Sequence, residues 1–159
     1  MMSLPKKAMI GAAVASIAIA TPLLSRLEGI DTKPRYDVGG VLTVCRGETN
    51  VEMREYTVKE CDELLAARIP EYYNAAMAHV DVEIPITMAA SITSFTYNVG
   101  PSAFGRSTML RKINSGDLWG ACDELDRWVY VSKMWVKGLA NRRDAEKRLC
   151  TAELPPRAI

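Results

Sequence analysis

Histidine is almost missing from this chain: His79 is the only one among 159 residues. One imidazole cannot build a multi-histidine metal centre, and the four cysteines form no C-x-x-C pair and show no zinc-ligand spacing. A large surplus of either sign of charge is missing too. Twenty Lys+Arg stand against 19 Asp+Glu, a net charge of +1, which is too little for a protein that holds nucleic acid by neutralising phosphates. Only one long apolar run occurs, which argues against a polytopic membrane protein. There is no internal repeat and no long linker. What remains is an ordinary globular mixture, 48% hydrophobic and 25% charged, at a length that suits one domain. No metal, cofactor or nucleic-acid partner is expected.

The apolar run lies at the N-terminus. Lys6 and Lys7 precede a charge-free stretch from Ala8 to Ser25, and Arg26 closes it. A spanning helix needs about 20 mainly apolar residues, so this stretch is just long enough. Its strong members are Ile10, Val14, Ile17, Ile19, Leu23 and Leu24; at roughly −0.5 kcal/mol each they supply only about −3 kcal/mol of insertion free energy. A cleaved secretory signal fits the lysine pair and the small-x-small site Ala18-Ile19-Ala20. A permanent anchor fits the length but not the weak apolarity. A marginal anchor (residues 8–24) that inserts and later slips out fits both, and ranks first. A buried core helix ranks last, because both ends carry the charges expected of an export signal. The basic flank keeps the N-terminus cytoplasmic and sends everything after Ser25 across the membrane. The chain thus divides into a segment 1–25, a domain 26–152 and a tail 153–159, which carries no usable motif and is expected to be disordered.

Cys45, Cys61, Cys122 and Cys150 are an even set that an oxidising compartment would permit to form two disulfides. Proximity along the chain favours Cys45–Cys61 and Cys122–Cys150, with buried free thiols as the alternative. Gly39-Gly40, between short β-branched runs, predicts a hairpin within 35–49, with Val41, Thr43 and Cys45 on one face and Leu42 and Val44 on the other. Helical periodicity follows. Thr57 and Glu60 make a capping box ahead of Cys61, Leu64, Leu65, Ile69, Tyr72 and Ala76, with Pro70 expected to kink or split the helix. Pro85 opens a helix whose apolar face is Met88, Ala89, Ile92, Phe95 and Val99, and Gly100-Pro101 stops it. Shorter helices are expected near 107–114 and from the Asp117 cap. A last helix over 139–150 carries Arg142–Glu146 and Asp144–Arg148 as i,i+4 pairs. The sum is an α+β domain, mostly α-helical, with a small β-hairpin near the N-terminus and a helical C-terminal lobe.

Chemistry concentrates between Glu28 and Gly47. Glu28 ends a short helical segment, Asp37 stands at the mouth of the hairpin, and Thr43 lies on the returning strand. Two carboxyls on different elements can occupy different environments, one desolvated and protonated, the other hydrated and ionised. Glycoside hydrolysis needs that division between an acid and a base or nucleophile. Spacing alone is a weak signal, since a helix-end glutamate beside a turn aspartate would look the same.

These residues resemble the phage-type lysozymes (bacteriophage endolysins, glycoside hydrolase family 24). Glu28-Gly29, Asp37, Gly40-Val41, Thr43, Cys45 and Gly47 match the family pattern in type and spacing. Further matches run through Tyr97-Asn98-Val99-Gly100, Phe104, 107–117, Ala121-Cys122 and Gly138-Leu139 to Arg142-Arg143, Glu146 and Cys150. The similarity is greatest to the exported, cysteine-containing branch with a signal-arrest-release segment. Where the family usually has an aromatic residue two places before the aspartate, this chain has Arg35, with Tyr36 one later.

The resemblance implies a lysozyme-like fold and hydrolysis of the β-1,4 bond between N-acetylmuramic acid and N-acetylglucosamine in peptidoglycan. Glu28 would be the general acid, Asp37 would orient or deprotonate a water, and Thr43 would hold that water. The reaction would be inverting, with carboxyls roughly 6.5–9.5 Å apart. Asn98 and Phe104 are expected to line the glycan cleft. The expected partners are the glycan strands and, before release, the host inner membrane, followed by life as a periplasmic monomer. A lytic transglycosylase and a non-catalytic, membrane-tethered wall-binding protein are the alternatives. His79 is expected to be a solvated helix-end residue. Of Trp119, Trp128 and Trp135, at least two are expected to pack, and Arg142 with Arg143 is expected to form a charged helix face.

Overall fold

A computed structural model describes residues 6–37 and 39–157. Val38, Met1 to Pro5, Ala158 and Ile159 lie outside the described residues, so the expectations for the first part of the segment 1–25 and the end of the tail 153–159 fall there.

Helix α1 (Lys6–Leu27) runs without interruption past Ser25 and through Pro22. By length and composition its Met9–Leu27 stretch could cross a membrane. Here it packs on two other helices, α2 (Val58–Met77) and α3 (Ile86–Val99). Ser16, Ala20, Leu23 and Leu24, spaced three to four apart, are buried, while Met9, Ile10 and Val14 stay exposed. Most of this stretch stays unburied, as suits the marginal anchor ranked first from sequence, but one face of it docks on the body. The physical reason is size: Ala20 and Ser16 let α1 approach closely, and Leu24 completes a core with Leu65, Ile69 and Ala90. Burying a leucine side chain is worth about 1.5–3 kcal/mol. Ser16 Oγ also donates to Ile86 O (3.2 Å), a polar contact between α1 and the start of α3.

Strands β1 (Asp31–Tyr36) and β2 (Leu42–Cys45) form the hairpin, antiparallel, with Arg35 opposite Thr43 and Tyr36 opposite Leu42. The register is irregular between Asp31 and Arg35. The alternation expected along this strand does not appear in its burial: Leu42 and Thr43 are both half-buried, and Cys45 adopts φ 61°. That left-handed residue turns Cys45 inward beside Val44, so both are buried rather than facing opposite ways.

The capping box at Thr57 and Glu60 forms with both of its hydrogen bonds. Of the two outcomes expected at Pro70, the split does not occur: helix α2 runs through it, with Leu65, Ile69 and Ala76 buried on either side of the proline. Helix α3 is the centre of the fold: every residue from Met88 to Thr96 is buried. Gly100 (φ 91°) ends it and leads into α4 (Pro101–Gly105), α5 (Thr108–Asn114) and α6 (Leu118–Asp123). A 3-10 turn (Glu124–Arg127) and a two-residue hairpin, β3 (Tyr130–Val131) with β4 (Met134–Trp135), precede α7 (Lys137–Thr151). Asp117 caps α6 through Gly120 N (2.9 Å), as expected from its type. Disulfides join Cys45 to Cys61 and Cys122 to Cys150, the pairing favoured by proximity.

The tail is not free through Arg157, which corrects the expectation of disorder. Glu153 accepts from Thr87 N and Oγ1 (2.9 Å each), Pro155 O accepts from Trp119 Nε1 (2.9 Å), and Arg157 pairs with Asp123 (2.7 Å). Trp128 meets Phe95 edge to face, so Trp119 and Trp128 are half-buried, whereas Trp135 is exposed. His79 is exposed just beyond the end of α2, as expected.

Candidate active site

Glu28 follows the last residue of α1 directly. Its N–H donates to Leu24 O (2.9 Å), and Gly29 takes the left-handed φ of 64° that ends the helix. A carboxylate at a helix C-terminus faces the negative end of the dipole, an unfavourable position without cations. Two buried arginines supply them. Arg142 Nη1 meets Glu28 Oε1 at 2.5 Å. Arg46 donates to Ser25 O (2.5 Å) and Gly29 O (2.7 Å), the carbonyls on either side of Glu28, and pairs with Asp62 (2.7 Å). The Glu28 side chain is thereby held by α7, and the backbone around it by the residue after β2. Neither arginine stood out from sequence as a partner of Glu28.

Behind Arg142 the network continues. Arg142 also donates to Ser94 O (3.1 Å) and pairs with Glu146 (3.1 Å), which is fully buried, pairs with Arg143 (2.5 Å) and accepts from Ser94 Oγ (2.7 Å). Arg143 in turn donates to Asn98 Oδ1 and to Trp128 O. The i,i+4 pairs expected on α7 are present, but Arg142 and Arg143 are buried and do not form a charged face. Two serines of α3 hold this pair inside: Ser94 O accepts from Arg142, Ser94 Oγ donates to Glu146 Oε1, and Ser91 Oγ donates to Glu146 O (2.7 Å).

Glu28 opens into a polar cavity of about 230 Å³ that is also lined by Arg46, Glu48, Arg68, Tyr72, Tyr97 and Asn98. Asn98 thus lines the same cavity as Glu28. Phe104 does not. It is fully buried in the main core, edge to face with Phe95, because α4 turns its only large apolar side chain inward. Glu48, not singled out from sequence, is buried, and burial raises its carboxyl above the usual range, Arg68 partly offsetting this. Burial likewise raises the Tyr97 hydroxyl, with Glu48 and Glu28 nearby acting in the same sense.

Asp37 stands on the hairpin turn, exposed. Its Oδ1 accepts from Gly39 N (2.8 Å) and Val41 N (2.9 Å), so the side chain also shapes the turn. Thr43 lies on β2 opposite Arg35, its Oγ1 donating to Arg35 O (3.4 Å). The hairpin thus carries Asp37 and Thr43 together, while Glu28 sits three residues before β1 in a cavity that neither of them lines among the described residues. The two carboxyls occupy different surroundings: Glu28 keeps 18% of its side chain exposed and is paired with Arg142, whereas Asp37 is exposed.

The chain is 42% identical over 144 residues to the SAR-endolysin of bacteriophage PS119, covering 85% of this chain and 86% of that protein. The muramidase domain of SpmX from Asticaccaulis excentricus superposes with a TM-score of 0.77 at 25% identity, over 86% of this chain and 95% of that one. A variant of P22 lysozyme superposes with a TM-score of 0.72 at 26% identity, over 94% and 98%. The family pattern described as phage lysozyme matches residues 25–146. With a lysozyme fold and a match across most of its length, this chain belongs to the phage lysozyme family.

Proposed function

We propose that this chain is an endolysin that hydrolyses the glycosidic bond between N-acetylmuramic acid and N-acetylglucosamine in peptidoglycan. The observation that carries the reading is Glu28: a largely desolvated carboxyl, fixed by Arg142 and Arg46, facing a polar cavity. Glu28 protonates the leaving oxygen. Asp37, hydrated and with one carboxylate oxygen held by the turn, offers its other oxygen to the attacking water, which Thr43 helps to place. A base acting through water gives inversion. Glycan strands from wild-type digestion should therefore end in reducing sugars of inverted anomeric configuration. Anhydro ends would mean a lytic transglycosylase, which uses one acid alone, and retained configuration would remove Asp37's role as base.

Export and control belong to the same reading. While Met9–Leu27 lies in a bilayer, Ser16, Ala20 and Leu24 cannot pack on α2 and α3, and Glu28 cannot reach Arg142 and Arg46. Release of the weakly apolar helix lets it dock and completes the site. Cleavage after Ala20 would instead remove most of the docked helix, so a mature chain beginning at Thr21 contradicts the release model. Gly11 and Ala18 are exposed on docked α1. Changing both to leucine adds about 1 kcal/mol to insertion without touching the docking face. The double variant should stay in the membrane fraction and lyse expressing cells several-fold more slowly; wild-type release and timing would sink the tether model.

A further inference from the structure

The β3–β4 hairpin has no part in the site described above, yet Tyr130, Val131, Met134 and Trp135 stand on it together, each more than half exposed. Exposed apolar side chains gathered in this way mark an interaction surface. The turn between the strands is strained. Ser132 (φ 47°) and Lys133 (φ 67°) both take the left-handed region, which asparagine and glycine fill more easily. The tight turn keeps the strands paired, with Tyr130 opposite Trp135, so the two aromatic side chains share one face. At the base, Val136 N donates to Val129 O (2.8 Å) and Val129 is buried. Neighbouring residues alternate across a ribbon, so the aromatic face is turned away from the core that Val129 enters.

Two ties hold this ribbon at the rim of the Glu28 cavity. Arg143 donates to Trp128 O (3.1 Å), two residues before β3, and also to Asn98 Oδ1, whose residue lines the cavity. Helix α7 begins at Lys137, just after β4, and Arg142 lies five residues on, about 7.5 Å along the axis, where it meets Glu28. The charge beside the ribbon is positive. Lys133 and Lys137 are exposed, while the nearby acids are engaged elsewhere, Asp126 by Lys147 and Glu124 by Lys112 and Arg127. Flat aromatic faces suit the apolar faces of sugar rings, and lysines suit carboxylates. We propose that the β3–β4 ribbon is an anchoring arm outside the cleft that holds the wall polymer beyond the linkage being cut. Tyr130 and Trp135 lie against sugar rings, and Lys133 and Lys137 meet acidic groups of the polymer. The proposal rests on the reading of this chain as a glycan hydrolase, and it gives the ribbon a holding role with no part in the chemistry. A bilayer also accepts tryptophan, tyrosine and lysine, but a bilayer laid on this rim would crowd the entrance that the polymer must use.

The test compares the full, released chain with a Tyr130→Ser, Trp135→Ser double variant. Both side chains are exposed, so the variant should melt as wild type does. On insoluble wall sacculi its kcat/KM should fall about tenfold, mainly through KM, the size of a lost aromatic contact at an interface. On a soluble oligosaccharide of the same polymer, too short to reach the ribbon, it should stay within about twofold of wild type. Undiminished activity on sacculi would overturn the arm, and so would an equal loss on both substrates. Wild type that pellets with anionic phospholipid vesicles, where the double variant does not, would assign the ribbon to a bilayer instead. A concentration-dependent dimer lost in the double variant would assign it to a second copy. Failure of the underlying reading looks different, because wild type would then release no reducing ends from either substrate. Pelleting of Glu28→Gln protein with sacculi tests the arm without turnover, and it should weaken about tenfold when Tyr130 and Trp135 are also replaced.

Discussion

Glu28→Gln should slow the clearing of outer-membrane-permeabilised Gram-negative cells by on the order of 10²–10⁴-fold, the usual contribution of a general acid. Glutamine has the same shape and keeps an oxygen for Arg142 Nη1, but it has no proton to give the leaving oxygen. Arg142 retains Glu146 and Ser94 O as partners, so the variant should still fold and melt within a few degrees of wild type. A non-catalytic wall-binding protein predicts no change, and a Glu28→Gln protein with a tenth or more of wild-type activity would reject the assignment. Asp37→Asn is the companion measurement. Asparagine can still accept from Gly39 N and Val41 N, so the turn survives. A fall in rate with the hairpin intact identifies a base; an unchanged rate leaves Asp37 as a turn residue only.

The second large effect concerns Glu146. It is fully buried between Arg142 and Arg143, and Ser94 Oγ also donates to it. Glu146→Leu removes the carboxylate that compensates two buried guanidinium groups, and breaking a buried pair in this way costs about 3–5 kcal/mol. For a domain of this size that is a fall of roughly 10 °C or more in Tm. Activity should fall further than stability alone explains, measured well below Tm, because Arg142 also holds Glu28. A Tm loss of under about 3 °C would show that solvent reaches the pair and that the network does not hold the site together.

The features readable in the sequence are those set by near neighbours. The Thr57–Glu60 box, the Asp117 cap, the Gly100 stop and the Arg142–Glu146 pair all depend on groups within about one helical turn. Cys45–Cys61 and Cys122–Cys150 are the short-range pairing. The rest depends on packing between distant elements. No spacing rule connects Arg142 to Glu28, or Arg46 to the carbonyls of Ser25 and Gly29. Phe104 looked like a cleft residue because it sits in a motif-rich loop, yet α4 turns it into the core. Arg142 and Arg143 looked solvated because helical periodicity records charge but not the serines of α3 that hold Arg142 and Glu146 inside. Pro70 did not split α2, where burial of Leu65 and Ile69 outweighs the lost backbone hydrogen bond. Glu48 carries no local mark at all: only the fold desolvates it.

Both disulfides lie within residues 45–150, one tying β2 to α2 and the other α6 to α7. Neither crosslink reaches α1, which contains no cysteine. Oxidation can therefore finish before the N-terminal helix arrives, and that arrival makes and breaks no covalent bond. The body can wait, stapled and assembled, for a part that joins by shape and hydrogen bonding alone, and the timing of its final step is independent of the redox chemistry that built the rest.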